Sequence, residues 1–170
     1  MAILAGTILC ASPIKADPLT VSYTTQQVSG STWQYQYQLS GTMNQGDDLV
    51  ILFPFGTTAS LVDQTSASAD ITSFVLQPDA TLGADGELDL LANITNPDLF
   101  TYFQVSFLYS GSGSPGAQAF TLYDSSFNPV SSGDTAPVTP TAATPEVSSV
   151  VLLATGMFAM LGVSRQRFGL

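Results

Sequence analysis

Alternating apolar and polar residues in the middle of the chain predict β-strands. Over 32–39, Trp33, Tyr35 and Tyr37 alternate with glutamines, so the rings share one face and the amides share the other. The segment 101–109 repeats this alternation. The pattern is typical of strands that bury one face and expose the other.

Other segments predict shorter or more buried strands. The run 49–53 is apolar throughout and ends at Pro54, as expected of a central strand. Clusters of Gly, Asn, Asp and Pro mark turns between the remaining candidate strands, which are 19–28, 71–77, 87–91 and 119–124. About seven or eight short strands with such turns predict an all-β fold, an antiparallel β-sandwich of the Ig-like or jelly-roll-like kind, over residues 17–130.

The C-terminal part of the chain differs in composition. Residues 131–144 are rich in Ser, Thr, Ala and Pro, which predicts a flexible linker. Residues 147–163 carry no charge and reach the minimum of about 17 residues for a transmembrane helix. Arg165 and Arg167 follow as a membrane stop, and the positive-inside rule keeps them cytoplasmic. The preceding domain is therefore expected outside the cytoplasm.

The N-terminal segment also predicts export. Residues 1–16 hold an apolar run of about 10 residues, the length of a signal-peptide core, and Pro13 breaks that run. Ala16 offers the small residue that cleavage needs, so the mature chain would begin at Asp17. The alternative is that this run forms a first core strand.

The C-terminal order of features resembles a known sorting signal. Pro145 and Glu146 precede the predicted apolar helix, and Arg165 and Arg167 follow it near the end of the sequence. This order resembles the PEP-CTERM sorting domain of bacterial surface proteins. Val147 stands where that family has a second proline. The resemblance implies processing by an exosortase-type enzyme, a transient stay in the inner membrane, and a final place at the cell surface, in the exopolysaccharide matrix or in the medium. The alternative is a membrane anchor that is never cleaved.

The charge distribution limits the possible partners. The chain has three Lys or Arg, thirteen Asp or Glu and no His, for a net charge of -10. Because the bases lie near the two ends, 17–144 contains none, and this argues against nucleic acid as a partner. Cys10 is the only cysteine, so the same stretch has no disulfide.

The residue types available exclude most catalytic chemistry. Without His, Cys, Lys or Arg, residues 17–144 lack the base of a serine triad, the usual ligands of zinc and the cations of a phosphate clamp. We therefore predict no enzyme. One alternative is a carboxylate hydrolase, which needs two acids about 5–10 Å apart in a cleft.

Two candidate binding sites follow from the remaining residues. Asp85, Glu87 and Asp89 offer the hard oxygen ligands that suit calcium, against the alternative that they are ordinary turn acids; no other cofactor is predicted. The rings of Trp33, Tyr35 and Tyr37 suit sugar stacking, against the favoured alternative that they form the core. The predicted function is that of a structural or interaction protein of the cell surface or matrix, with a carbohydrate-binding module as the alternative.

Overall fold

The computed structural model describes residues 18–99 and 102–138, which form an all-β unit with no helix. The ten strands are β1 (Thr20–Ser29), β2 (Thr32–Ser40), β3 (Asp48–Phe53), β4 (Thr58–Asp63), β5 (Ile71–Leu76), β6 (Gly86–Ala92), β7 (Phe103–Tyr109), β8 (Ala119–Tyr123), β9 (Pro129–Asp134) and β10 (Ala136–Pro137). In this part of the chain, no helix is long and apolar enough to cross a membrane.

Several predictions concern residues outside this description. The signal peptide with Ala16 and Asp17, the transmembrane helix 147–163 and the sorting motif at Pro145 and Glu146 all lie there. Arg165 and Arg167 lie there too.

The strands form two five-stranded sheets. The first has the order β10-β1-β2-β7-β4 and is antiparallel apart from the short β10, which runs parallel to β1. The second has the order β5-β6-β3-β8-β9 and is antiparallel throughout. The predicted antiparallel all-β architecture is confirmed at this level.

The inward faces of both sheets supply one aromatic core. Tyr35 stacks on Phe107 with ring centroids 5.1 Å apart and meets the edge of Phe53 from the second sheet at 6.1 Å. The hydroxyl of Tyr35 donates to the Gly116 carbonyl at 2.6 Å, and that of Tyr37 donates to Gln118 Oε1 at 3.1 Å. Buried rings therefore keep their polar ends satisfied, as burial of tyrosine requires.

The core geometry decides between the two interpretations of the aromatic strand. Tyr35 and Tyr37 have no exposed surface, and Trp33 is partly buried against the core and meets Tyr109 edge-on at 6.4 Å. The sugar-stacking alternative is wrong for the two tyrosines because no ligand can reach their rings.

The domain extends further than the sequence predicted. Within the predicted linker, residues 131–134 belong to β9 and residues 136–137 to β10. Val138 N–H still donates to the Tyr23 carbonyl at 2.8 Å. The reason is that β9 is an edge strand that pairs only with β8, so its residues need not be apolar. The rest of the predicted linker lies outside the described residues.

Candidate functional site

The outer face of the second sheet carries acids among apolar side chains. Residues 48, 50 and 52 of β3 point outward because 49, 51 and 53 are buried. The strand register sets Val50 and Phe74 on either side of Asp89, in one row across the sheet. In the next row, Asp48 lies opposite Leu91. We call this area the acidic patch and define it by Asp48, Val50, Phe74, Glu87, Asp89 and Leu91.

Asp89 is the most buried member of the acidic patch. Its residue is 6 % exposed although it lies on an outer face, because the flanking side chains close around it. Its Oδ1 is buried and accepts no hydrogen bond. Burial raises the pKa of Asp89 to about 7, and the charges of Asp48 and Glu87 add to the rise. The carboxyl is thus poised to change its charge near neutral pH.

Asp48 is the second carboxyl of the acidic patch with an unsatisfied oxygen. It is the first residue of β3, and its Oδ1 is buried without a hydrogen-bond partner. Burial raises its pKa from the ordinary value. Cross-strand register makes it a diagonal neighbour of Asp89. The sheet thus brings two unsatisfied carboxyls together on one face.

Acids in the turns behave differently, because backbone N–H groups satisfy them. Asp47 Oδ2 accepts from Asn44 N–H at 2.7 Å, and Asp79 Oδ1 accepts from Thr81 N–H at 2.8 Å. Asp124 Oδ1 accepts from the N–H groups of residues 126 and 128 at 2.8 and 2.9 Å. These hydrogen bonds lower the pKa of Asp124. These carboxylates stabilise the loops, and their backbone hydrogen bonds leave them without a requirement for a ligand.

The three residues predicted for calcium do not form one site. Asp85 lies in the turn before β6 and accepts from Phe55 N–H at 3.0 Å, whereas Glu87 and Asp89 lie on the outer face of the strand. Among the described residues, no group of three or more acidic, His or Cys side chains is arranged to hold a metal ion. Asp85 is therefore a turn acid, as the alternative interpretation of these residues held, whereas Asp89 is a strand residue.

The sequence prediction missed the role of Asp48. Asp48 directly follows the polar segment 44–47, and the sequence did not single it out. A signal was nevertheless present: Asp48 starts a strand, and Glu87 and Asp89 occupy alternate positions of another strand. Which acids become neighbours depends on the pairing of β3 with β6, and one sequence does not reveal that register.

By contrast, the outer face of the first sheet carries uncharged amide and hydroxyl side chains along β1, β2 and β7, beside the exposed Val62 and Leu108. Gln26 Nε2 donates to Gln34 Oε1 at 2.8 Å, and Gln34 Nε2 donates to Gln64 Oε1 at 2.7 Å. Gln64 Nε2 in turn donates to the Ser106 hydroxyl at 3.1 Å. We call these four residues with Gln104 the amide face. Tyr102, directly before β7, is 50 % exposed.

Two surface depressions lie apart from the acidic patch. The larger, of about 560 Å³, is lined by 39–41, Asp70 and 96–99. The smaller, of about 370 Å³, is lined by Ser31, 55–59 and 108–110. Neither contains Asp48 or Asp89, so these two carboxyls lie on the outer face of the second sheet and in neither depression.

The chain matches no protein-family model and has no significant match among curated proteins.

Proposed function

We propose that this chain is an exported protein of the cell surface or exopolysaccharide matrix, of structural or interaction type, sorted through its C-terminal tail. The observation that carries the proposal is the order of segments: a folded β unit ends at Val138, and Pro145, Glu146, an uncharged apolar run and two terminal arginines follow. The β unit, a sandwich of the Ig-like or jelly-roll-like kind, is the part that this tail would deliver.

The chemistry of the β unit supports interaction rather than catalysis. Residues 17–144 contain no His, Cys, Lys or Arg, so general acid–base and nucleophilic mechanisms have few available groups. Turn acids such as Asp47 and Asp79 are engaged in local hydrogen bonds. Two broad sheet faces of different chemistry remain, one neutral and rich in amides and one acidic and apolar.

Mass spectrometry of the protein recovered from its own host tests the sorting proposal. We expect a mature N-terminus at Asp17 and a C-terminus close to Pro145 and Glu146. Replacing Glu146→Ala should stop the C-terminal cut and leave the full tail in the membrane fraction. Ser148→Ala, a truncation two residues after Glu146 that leaves the charge of the motif unchanged, is the control and should be processed normally.

One result would replace this proposal. Recovery of Arg167 in the envelope fraction of the unmodified protein would leave a plain membrane anchor with no processing. Recovery of uncut protein in the cytoplasm would remove export altogether.

A second candidate function is binding of a neutral glycan at the amide face. The observation that favours it is the exposed Tyr102, which directly precedes β7 and stands two residues before Gln104. Aromatic rings pack against the apolar faces of sugars, and amides both donate and accept hydrogen bonds. A glycan array on the full chain tests it: Tyr102→Ala should abolish binding, whereas Phe127→Ala, equally aromatic but distant in sequence, should not.

A further inference from the structure

We propose that the acidic patch on the outer face of the second sheet binds the side chain of a Lys or Arg residue from a partner protein. This goes beyond surface delivery, since it names a site and the chemistry of its occupant. The proposal stands on a buried carboxylate oxygen without a partner, on the surrounding apolar side chains and on the charge of the described chain.

The unsatisfied oxygens point to a missing hydrogen-bond donor. Buried polar atoms in folded proteins are nearly always paired, and a buried acceptor left without a partner destabilises the fold. Asp48 Oδ1 and Asp89 Oδ1 are both buried and unpaired, while the turn acids Asp47, Asp79 and Asp124 are all satisfied. A donor from outside the chain that displaces the flanking side chains would give both buried oxygens a hydrogen-bond partner.

The charge of the described residues calls for a cationic donor. Asp48 and Glu87 are like charges on either side of Asp89, one diagonal to it across the strands and one two residues away on its own strand. Residues 18–138 contain no Lys, Arg or His to offset them. An ammonium or guanidinium group is both a donor and a cation, so it removes the repulsion and the hydrogen-bond deficit together. A neutral hydroxyl would remove only the second.

The surroundings favour an organic cation over a metal ion. Calcium takes six to eight oxygen ligands, whereas Asp89 has apolar neighbours on both sides, Val50 and Phe74. Phe74 is 42 % exposed and Leu76, two residues along β5, is 50 % exposed. A Lys or Arg side chain has an aliphatic stem that packs on such residues while its charged end reaches a carboxylate.

The neighbouring strand offers a place for the partner's main chain. β5 is the terminal strand of its sheet and pairs only with β6 in the described part of the chain. Its sequence has no charge and no proline to discourage a further strand. An extended basic segment is therefore a suitable occupant beside the acidic patch.

A binding experiment with a short peptide tests the proposal. The probe is an acetylated and amidated peptide with one central lysine between valines, and the comparison peptide carries acetyl-lysine at that position. Binding to the full chain, purified in a non-ionic detergent, is followed by isothermal titration calorimetry. We expect the lysine peptide to bind at least about tenfold more tightly than its acetylated form.

Two variants with the same charge change assign the site. Asp89→Asn should weaken binding at least about tenfold, whereas Asp134→Asn, exposed on the edge strand β9, should change it less than about twofold. Phe74→Ala removes the stem contact without altering charge and should also weaken binding. Equal losses in Asp89→Asn and Asp134→Asn would overturn the proposal, because they would show only general attraction to an acidic domain.

The pH dependence adds a further criterion. The groups that face Asp89 are Asp48 from β3 and Glu87 from its own strand, while β5 offers Thr72, Phe74 and Leu76, which do not titrate. Because the cation needs ionised Asp89, whose pKa is about 7, binding should be about tenfold weaker at pH 6 than at pH 8. Binding unchanged over this range would overturn the assignment to Asp89.

Two competing probes define the occupant. If calcium binds with loss in Asp89→Asn while the peptide does not bind, the site is a metal site and the proposal fails. If a glucosamine oligosaccharide binds at Asp89 and the peptide does not, the occupant is an amino sugar and the proposal again fails. Peptide binding that depends on Asp89 supports it.

Discussion

The carboxyl of Asp89 makes the stability of the domain depend on pH. Its pKa rises from 3.8 to about 7 on folding, because burial and two neighbouring acids disfavour the charge. The folded state therefore holds this proton where the unfolded chain has lost it. The resulting stabilisation is complete below about pH 4 and is lost as the pH rises to about 7, with an upper bound of about 4 kcal/mol at about 1.4 kcal/mol per pKa unit.

We expect the domain to unfold at a higher urea concentration at pH 5 than at pH 8. Asp89→Asn should remove most of this difference and should stabilise the domain at pH 8, because no charge is then buried. Asp134→Asn is the exposed control and should keep the pH dependence of the unmodified protein. A midpoint that rises from pH 5 to pH 8 would contradict the prediction.

Phe127 combines two unusual properties for one residue. It has a φ of 61°, in the left-handed region that disfavours residues other than glycine, and it is 81 % exposed. Its N–H donates to the Asp124 carbonyl at 2.8 Å, which holds the turn between β8 and β9. The side chain therefore gains little from burial while the backbone is strained.

Phe127→Gly should accordingly stabilise the domain by about 0.5–1 kcal/mol, measured as the shift in urea unfolding free energy. Phe127→Ala removes the same ring but keeps the strained backbone, so it should not stabilise. A loss of stability in the glycine variant would show that the ring has a structural contact that its exposure hides.

At the scale of elements, β9 shows that residues beyond 130 contribute to the folded domain, because they pair with the core strand β8. It covers β8, whose Phe120 and Leu122 are 6 % and 5 % exposed. Thr135, just after β9, is also buried and accepts from Gln118 N–H at 2.9 Å. The predicted domain limit at residue 130 would remove all of these contacts.

A chain that ends after Val130 should therefore be less stable than one that ends after Val138, by about 3 kcal/mol or more, because core side chains lose their cover. Urea unfolding followed by tryptophan fluorescence measures the difference. Val130→Ser in the longer chain is the control, since that side chain is 56 % exposed and should matter little. Equal midpoints for the two lengths would show that β9 adds nothing.

The elements also show what the sequence could predict. β2 and β7 were found because strict alternation marks a half-buried strand, and β3 because it is apolar throughout. β4 has a register shift, and β9 and β10 are mostly exposed, so none of them has a clear hydrophobic period. Of the candidate site, the sequence singled out Asp89 but not Asp48. The proximity of these two acids depends on the pairing of β3 with β6, which is a tertiary property.

At the scale of the whole molecule, charge is entirely of one sign across the described residues. Residues 18–138 contain acids and no Lys, Arg or His, so salt bridges between their side chains are impossible and repulsion is the only effect of their charges on one another. Added salt therefore has no attractive charge pairs to weaken among these residues. Added salt can only screen repulsion, and the Debye length falls from about 30 Å at 0.01 M to about 10 Å at 0.1 M.

We expect the melting temperature at pH 7.5 to rise by a few degrees between 0.01 and 0.2 M sodium chloride and then to level off, since about 1 kcal/mol corresponds to about 4 °C in a domain of this size. Asp89→Asn should show a smaller rise, because Asp48 and Glu87 then face one charge fewer. A fall in melting temperature with salt would require net attraction between charges, which the composition of this domain excludes. The same field that salt screens would draw a cationic partner towards the acidic patch, so salt should weaken peptide binding over the range in which it stabilises the fold.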